Sequence, residues 1–185
     1  MKKPLPLAVM ALCVFTAGCW ESKGSLYGDT KAVQPFRSGK ILGSDRGQPG
    51  KVSHWLLTKE ASDAYRLTNV GEGPSDSVIA RFFAVTGLPK DMLVSEAVLD
   101  KCEPGNICHP VTATSERIYL LVRLTKTGVE VSILDCDKSS AVAKLTGVEA
   151  GNIGDCTFRS RAVLETALRI QAKQIWKTDW TYRYE

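Results

Sequence analysis

Between Val52 and Leu134 the apolar residues come in short runs, each closed by a cluster of turn-forming or charged residues. A chain interrupted this often has no room for long helices there, and consecutive hairpins are what the spacing permits. Val52–Thr58 and Ala64–Val70 read as strands joined by Lys59 to Asp63. Ser77–Thr86 and Met92–Leu99 read as a second pair across Gly87-Leu88-Pro89-Lys90, after the break at Gly71-Glu72-Gly73-Pro74. Arg117–Leu124 and Val129–Leu134 form a third pair around Thr125-Lys126-Thr127-Gly128, where the glycine suits a tight turn. Val78 to Val85 is apolar on both alternating faces except at Arg81. That strand is therefore expected to be central, with a helix or second sheet over one side.

The period changes after Leu134. Ser139–Thr146, stopped by Gly147, reads as a short helix, and Ser160–Lys177 as a longer one. In the longer one Leu164, Ala167, Leu168, Gln171 and Ile175 recur at helical spacing, widened by Val163 and Ile170. Three hairpins followed by two helices predict an α+β domain with a mostly antiparallel sheet covered by the C-terminal helices. A small β-barrel with a packed helix is the rival. The chain ends in Trp176, Trp180, Tyr182 and Tyr184, interleaved with Lys177, Arg183 and Glu185. In an extended backbone Trp180, Tyr182 and Tyr184 share one face. The four aromatics are a candidate interaction surface for a glycan strand, a partner protein or lipid headgroups, or else a last strand that packs on the core.

The N-terminus determines where such a domain resides. Lys2 and Lys3 precede an apolar run from Leu5 to Phe15, the pattern of an export signal, and this run is too short to span a bilayer. Thr16-Ala17-Gly18-Cys19 resembles the lipobox of bacterial lipoproteins, which implies cleavage before Cys19 and a lipid-bearing sulfur on that residue. Trp20 rather than aspartate after the cysteine implies, by the same resemblance, sorting to the outer membrane, facing the periplasm. The chain then divides into a signal peptide (1–18), a lipidated N-terminus and tether (19–40) and one globular domain (41–185). The segment from Trp20 to Lys40 is rich in Gly, Ser, Lys and Asp. Fully extended, its roughly 20 residues would reach about 65–70 Å from the bilayer; docking of the apolar Ala32-Val33 and Pro35-Phe36 on the domain is the alternative, and would shorten that reach. Without Lys2 and Lys3, 22 basic side chains face 20 acidic ones, a balance that offers nucleic acid no electrostatic footing.

Cys13 leaves with the signal and Cys19 takes lipid, so Cys102, Cys108, Cys136 and Cys156 remain, an even four in an oxidising compartment. Four cysteines allow three pairings. Proximity favours Cys102 with Cys108, across Pro104-Gly105, and Cys136 with Cys156. Metal and cofactor readings fail on spacing. Gly105 stands where a c-type haem motif needs cysteine, and Cys102, Cys108 and His109 include no close-spaced cysteine pair for zinc. Asp135 and Asp137 begin like a calcium loop, but Ser140 and Thr146 occupy its glycine and glutamate positions. No cofactor or metal is expected.

No nucleophile elbow, zinc-protease helix or phosphate-cradling glycine motif occurs, and His54 has no neighbouring nucleophile in sequence. The expected function is therefore a non-enzymatic binding or structural module of the cell envelope, held to the membrane by its lipid, with an envelope protein or peptidoglycan as partner. An inhibitor of a periplasmic or host hydrolase, and a cell-wall or lipid hydrolase, are the alternatives.

Overall fold

The computed structural model describes residues 20–60, 63–70, 77–100, 115–134, 136, 140–151, 155–174 and 176–185, and the backbone of 102–103 and 107–108. Its strands are β1 (Trp20–Lys23), β2 (Gly39–Asp45), β3 (Val52–Lys59), β4 (Tyr65–Asn69), β5 (Ser77–Phe83), β6 (Met92–Asp100), β7 (Cys102–Glu103), β8 (Ile107–Cys108), β9 (Glu116–Leu124), β10 (Gly128–Ile133), β11 (Val148–Ala150), β12 (Cys156–Phe158) and β13 (Trp180–Tyr184). The helix α1 (Arg161–Gln171) precedes β13.

Eight strands close into a barrel in the order β2, β3, β4, β5, β6, β9, β10, β13, every pair antiparallel. The seam is made by β13, which pairs with β10 on one side and β2 on the other. Side-chain alternation then divides the wall into two faces. Ile41, Leu57, Tyr65, Ala80, Phe82, Leu93, Ala97, Val122 and Val131 form the buried interior, joined by Trp55, Trp180, Tyr182 and Tyr184. An eight-stranded barrel is narrow enough for side chains to fill, and here they do. Gly43 makes this possible on β2. A methyl there would lie 2.8 Å from the Tyr182 ring and 2.9 Å from Ser53 Oγ, so its absence lets Trp55 and Tyr182 meet edge to face across the strand.

The exterior carries Lys40, Ser44, His54, Thr58, Arg66, Thr68, Glu130, Thr181 and Arg183 along the same strands. A barrel that crosses a membrane has the reverse arrangement, apolar outside and polar within. Here the interior is apolar and the outward face is mixed, with Val52 and Leu56 exposed among these polar side chains.

A second core lies outside the barrel, on the wall made by β5, β6 and β9. Phe83, Val94, Tyr119 and Leu121 point outward there and are covered by Leu164, Ala167 and Leu168 of α1 and by Phe158 and Trp20. This explains why the run from Val78 to Val85 is apolar on both faces: Val78, Ala80 and Phe82 join the interior cluster, Phe83 and Val85 the outer one. Arg81, the exception, donates to the carbonyls of Gly28 and Thr30 at 2.9 and 2.8 Å. Beside it Glu96 is buried and accepts from Ser25 Oγ and from the Tyr119 hydroxyl at 3.1 Å. The partners satisfy a carboxylate whose burial would otherwise be costly. They also tie residues 25–30 to the wall.

The α+β expectation with two C-terminal helices is overturned. A closed barrel forms, the architecture that the sequence reading held only as a rival, and α1 is the only helix among the described residues. Residues 137–139 lie outside the described residues. From Ser140 to Gly147 the chain makes turns held by Leu145 N–H to the Val142 carbonyl and Val148 N–H to the Leu145 carbonyl, and Gly147 at φ +91° then releases it into β11. The long helix begins at its Ser160 cap as the pattern implies, but ends at Gln171 rather than Lys177. Beyond it Trp176 is held by Arg123, whose guanidinium sits 4.5 Å from the indole centroid, and the chain turns into β13.

The segment expected to be a tether is built into the body. β1 pairs antiparallel with β9 and parallel with β12, and Trp20, Tyr27 and Ala32 are buried. Further along, the Tyr65 hydroxyl donates to the Phe36 carbonyl and accepts its N–H, at 2.9 and 3.1 Å. Tyr184 treats Arg37 in the same way, at 2.8 and 3.0 Å. Two interior tyrosines thus pin successive residues of the strap that leads into β2.

One carboxylate on β1 couples this arrangement to pH. Burial, a hydrogen bond with Glu116 and the charges of Glu116 and Asp155 raise Glu21 from 4.5 to about 7. Because the folded state holds this proton more tightly than the unfolded chain, the associated stability is complete below pH ~4.5 and is lost as pH rises through ~7. Glu21 is half-buried, so after solvent screening the change is about 1 kcal/mol. Urea unfolding at pH 5 and pH 8 should show the decline, and Glu21→Gln should flatten it; an unchanged slope in that variant would refute the assignment.

Candidate functional site

The sequence-derived site residues separate on folding. Cys19 lies outside the described residues. Cys102 and Cys108 stand directly opposite each other in the β7–β8 ladder. Backbones so placed are about 4.5–5.5 Å apart, within the span a disulfide bridges. Cys136 and Cys156 are joined by a disulfide, with Cα atoms 5.6 Å apart and both residues fully buried. His109, Asp135 and Asp137 lie outside the described residues. His54 is on the barrel exterior and its Nδ1 is 2.9 Å from Glu185. No hydroxyl or thiol joins this pair among the described residues, so it lacks the nucleophile that would make it half of a triad.

Three of the four C-terminal aromatics turn inward. Trp180, Tyr182 and Tyr184 alternate toward the barrel interior, opposite Val131, Val129 and Ile41. Burial pushes the Tyr182 phenol up to about 12, in keeping with its place inside the wall. The three share one face, but it is the face that fills the barrel. Trp176 alone lies outside β13, and it lines a groove.

That groove, of about 810 Å3, is bounded by the β2–β3 turn and by the segment that enters β13. The turn supplies Asp45, Arg46, Pro49 and Gly50; the segment supplies Trp176, Lys177, Thr178 and Asp179; Ser44 and Thr181 form the strand wall between them. The two sides are fastened together by Arg46 N–H donating to the Asp179 carbonyl at 2.9 Å. Asp45 Oδ1 accepts Gly47 N–H at 2.6 Å, which shapes the turn, and Asp179 Oδ2 accepts Ile133 N–H at 2.8 Å, which fixes the entry to β13. Both carboxylates are therefore engaged in holding the backbone.

The remaining groups are set for contact. Trp176 Nε1 donates to Thr178 Oγ1 at 2.8 Å, and Thr178 Oγ1 reaches Glu130 at 3.4 Å. Glu130 in turn pairs with Arg123, the residue stacked on the Trp176 ring. This closed set of contacts holds the indole in one orientation before any ligand arrives, which reduces the entropy lost on binding. Arg46 and Lys177 are exposed and have no ion pair among the described residues. The groove thus presents two cations, two carboxylates that keep their charge while holding the backbone, hydroxyls and a fixed aromatic.

Sequence reasoning found Trp176 but missed Asp45, Arg46, Lys177 and Asp179 as a group. β2 itself was not legible: Gly39, Gly43 and Ser44 make it read as loop. The one signal present was the turn-rich run Asp45-Arg46-Gly47-Gln48-Pro49-Gly50. Among the described residues no three His, Cys, Asp or Glu side chains converge as metal ligands. Comparison with known proteins adds no assignment: no family model, no curated protein and no solved structure matches this chain.

Proposed function

We propose that this chain is an envelope lipoprotein, anchored through Cys19 in the outer membrane and facing the periplasm, that binds an envelope partner in the Trp176 groove without performing chemistry on it. The observation that carries the reading is the groove itself. Its carboxylates hold the backbone in place, and its indole is fixed in one orientation beside exposed Arg46 and Lys177. Aromatic and arginine side chains in this setting are the usual anchors of a binding surface. The anchor rests on the order of basic residues, apolar run, small residues and Cys19.

Two measurements test it. Palmitate supplied during growth should label the protein, and Cys19→Ala should lose both the label and the membrane association. For the groove, crosslinking in intact envelopes should recover one component with the wild-type protein. Trp176→Ala, and separately Arg46→Ser with Lys177→Ser, should weaken that association about tenfold or more, the effect of losing about 1.4 kcal/mol at an anchor residue. Equal recovery with all three proteins would overturn the groove assignment. Crosslinking to a hydrolase whose turnover falls would turn the reading toward the inhibitor.

A further inference from the structure

A lipoprotein usually stands off its membrane on a flexible leader, and the composition of residues 20–40 predicts one. In the folded chain that leader is absent as a spacer. Trp20, the residue directly after the anchoring cysteine, is 0% exposed, its ring 4.9 Å from Phe158. Its backbone is held on both sides, by Tyr119 of β9 and by Cys156 of β12. Ser22, two residues on, is also buried, its Oγ bonded to the Gly24 carbonyl at 2.6 Å and to the Tyr119 hydroxyl at 2.8 Å. Leu26 N–H reaches the same hydroxyl at 3.1 Å. The disulfide ends at Cys156, immediately beside Trp20, so the surface that receives β1 is covalently braced.

Consecutive Cα atoms are about 3.8 Å apart. A lipid on Cys19 therefore begins one residue from the buried wall. From these contacts we infer that the folded body is seated directly on the bilayer, held there by the short link from the lipid to Trp20 on the outer face of β9. The inference rests on the lipid anchor proposed above and adds where the body stands.

Neutron reflectometry on the mature, lipidated protein in a supported bilayer measures the seat directly. The wild-type chain should form a protein layer in contact with the headgroups, with no water layer between. Insertion of about 15 Gly and Ser residues between Cys19 and Trp20, spanning about 20 Å as a random coil, should open such a layer while leaving the body intact. A water layer already present in the wild type, or one that the insertion does not change, would overturn the seat while the lipid anchor stands. A chain that carries no lipid and never enters the bilayer would overturn both.

Discussion

Trp20→Ala is expected to destabilise the fold by about 3–5 kcal/mol, the cost of emptying a fully buried tryptophan site. The indole contributes to the outer core with Phe158, Tyr119 and Cys156, and it is the only large apolar side chain on β1. Its removal takes away the burial that holds the strand, so the loss includes release of β1 from both neighbours as well as the cavity. For a body of this size the midpoint of thermal unfolding should fall by about 10 °C. Urea denaturation followed by tryptophan fluorescence would measure the change, and a loss below ~1 kcal/mol would show that β1 does not depend on its tryptophan. Amide exchange separates the local from the global effect: Glu21 to Lys23 and Thr157 should lose protection first, while β3 and β4, on the far wall of the barrel, should keep theirs until global unfolding.

Replacing Cys136 and Cys156 together by alanine should cost about 3 kcal/mol. The cross-link closes a loop with a sequence separation of 20 residues, and release of that constraint restores entropy to the unfolded chain on the chain-entropy account. The effect should be concentrated outside the barrel. Val142, Phe158 and Leu164 pack around the bridge in the outer core, whereas the interior cluster contains neither cysteine. Circular dichroism should therefore retain the strand signal at 25 °C, while exchange quickens across β11 and β12. A variant with unchanged midpoint would mean that packing alone holds this region.

The two substitutions address the same feature from opposite sides. β1 is clamped by apolar burial, and the strand that receives it is clamped by the disulfide. If the body is seated on the membrane as proposed, either change loosens the joint between lipid and barrel. The pH effect at Glu21 acts there too, since its neighbours Glu116 and Asp155 flank the same pairing.

Much of the sheet could be read directly. Six strands fall where the short apolar runs lie, from Val52 to Ile133, because alternation and turn residues are local properties that survive into the fold. The start of α1 was equally visible, as Ser160 accepts Val163 N–H and Leu164, Ala167 and Leu168 face the core. The pairing of Cys136 with Cys156 followed from proximity in the chain and is present.

What the sequence could not determine is how those strands close. β2 carries only two large apolar residues, Ile41 and Leu42, and its Gly43 reads as a breaker. The glycine is required because Tyr182 and Trp55 occupy the space a side chain would fill, and those two residues come from 139 positions later and 12 positions later. The direction in which Trp180, Tyr182 and Tyr184 point was likewise undecided by alternation, which places them on one face without saying which. Pairing of β13 between β10 and β2 settles it, since only the inward face meets an apolar core. Composition alone made residues 20–40 a tether, whereas the uncovered outer wall of β5, β6 and β9 makes them a lining. Local residue chemistry determined the strands, the cap and one disulfide. Long-range pairing, which no neighbouring residues encode, decided the barrel, the groove and the burial of Trp20 against the outer wall.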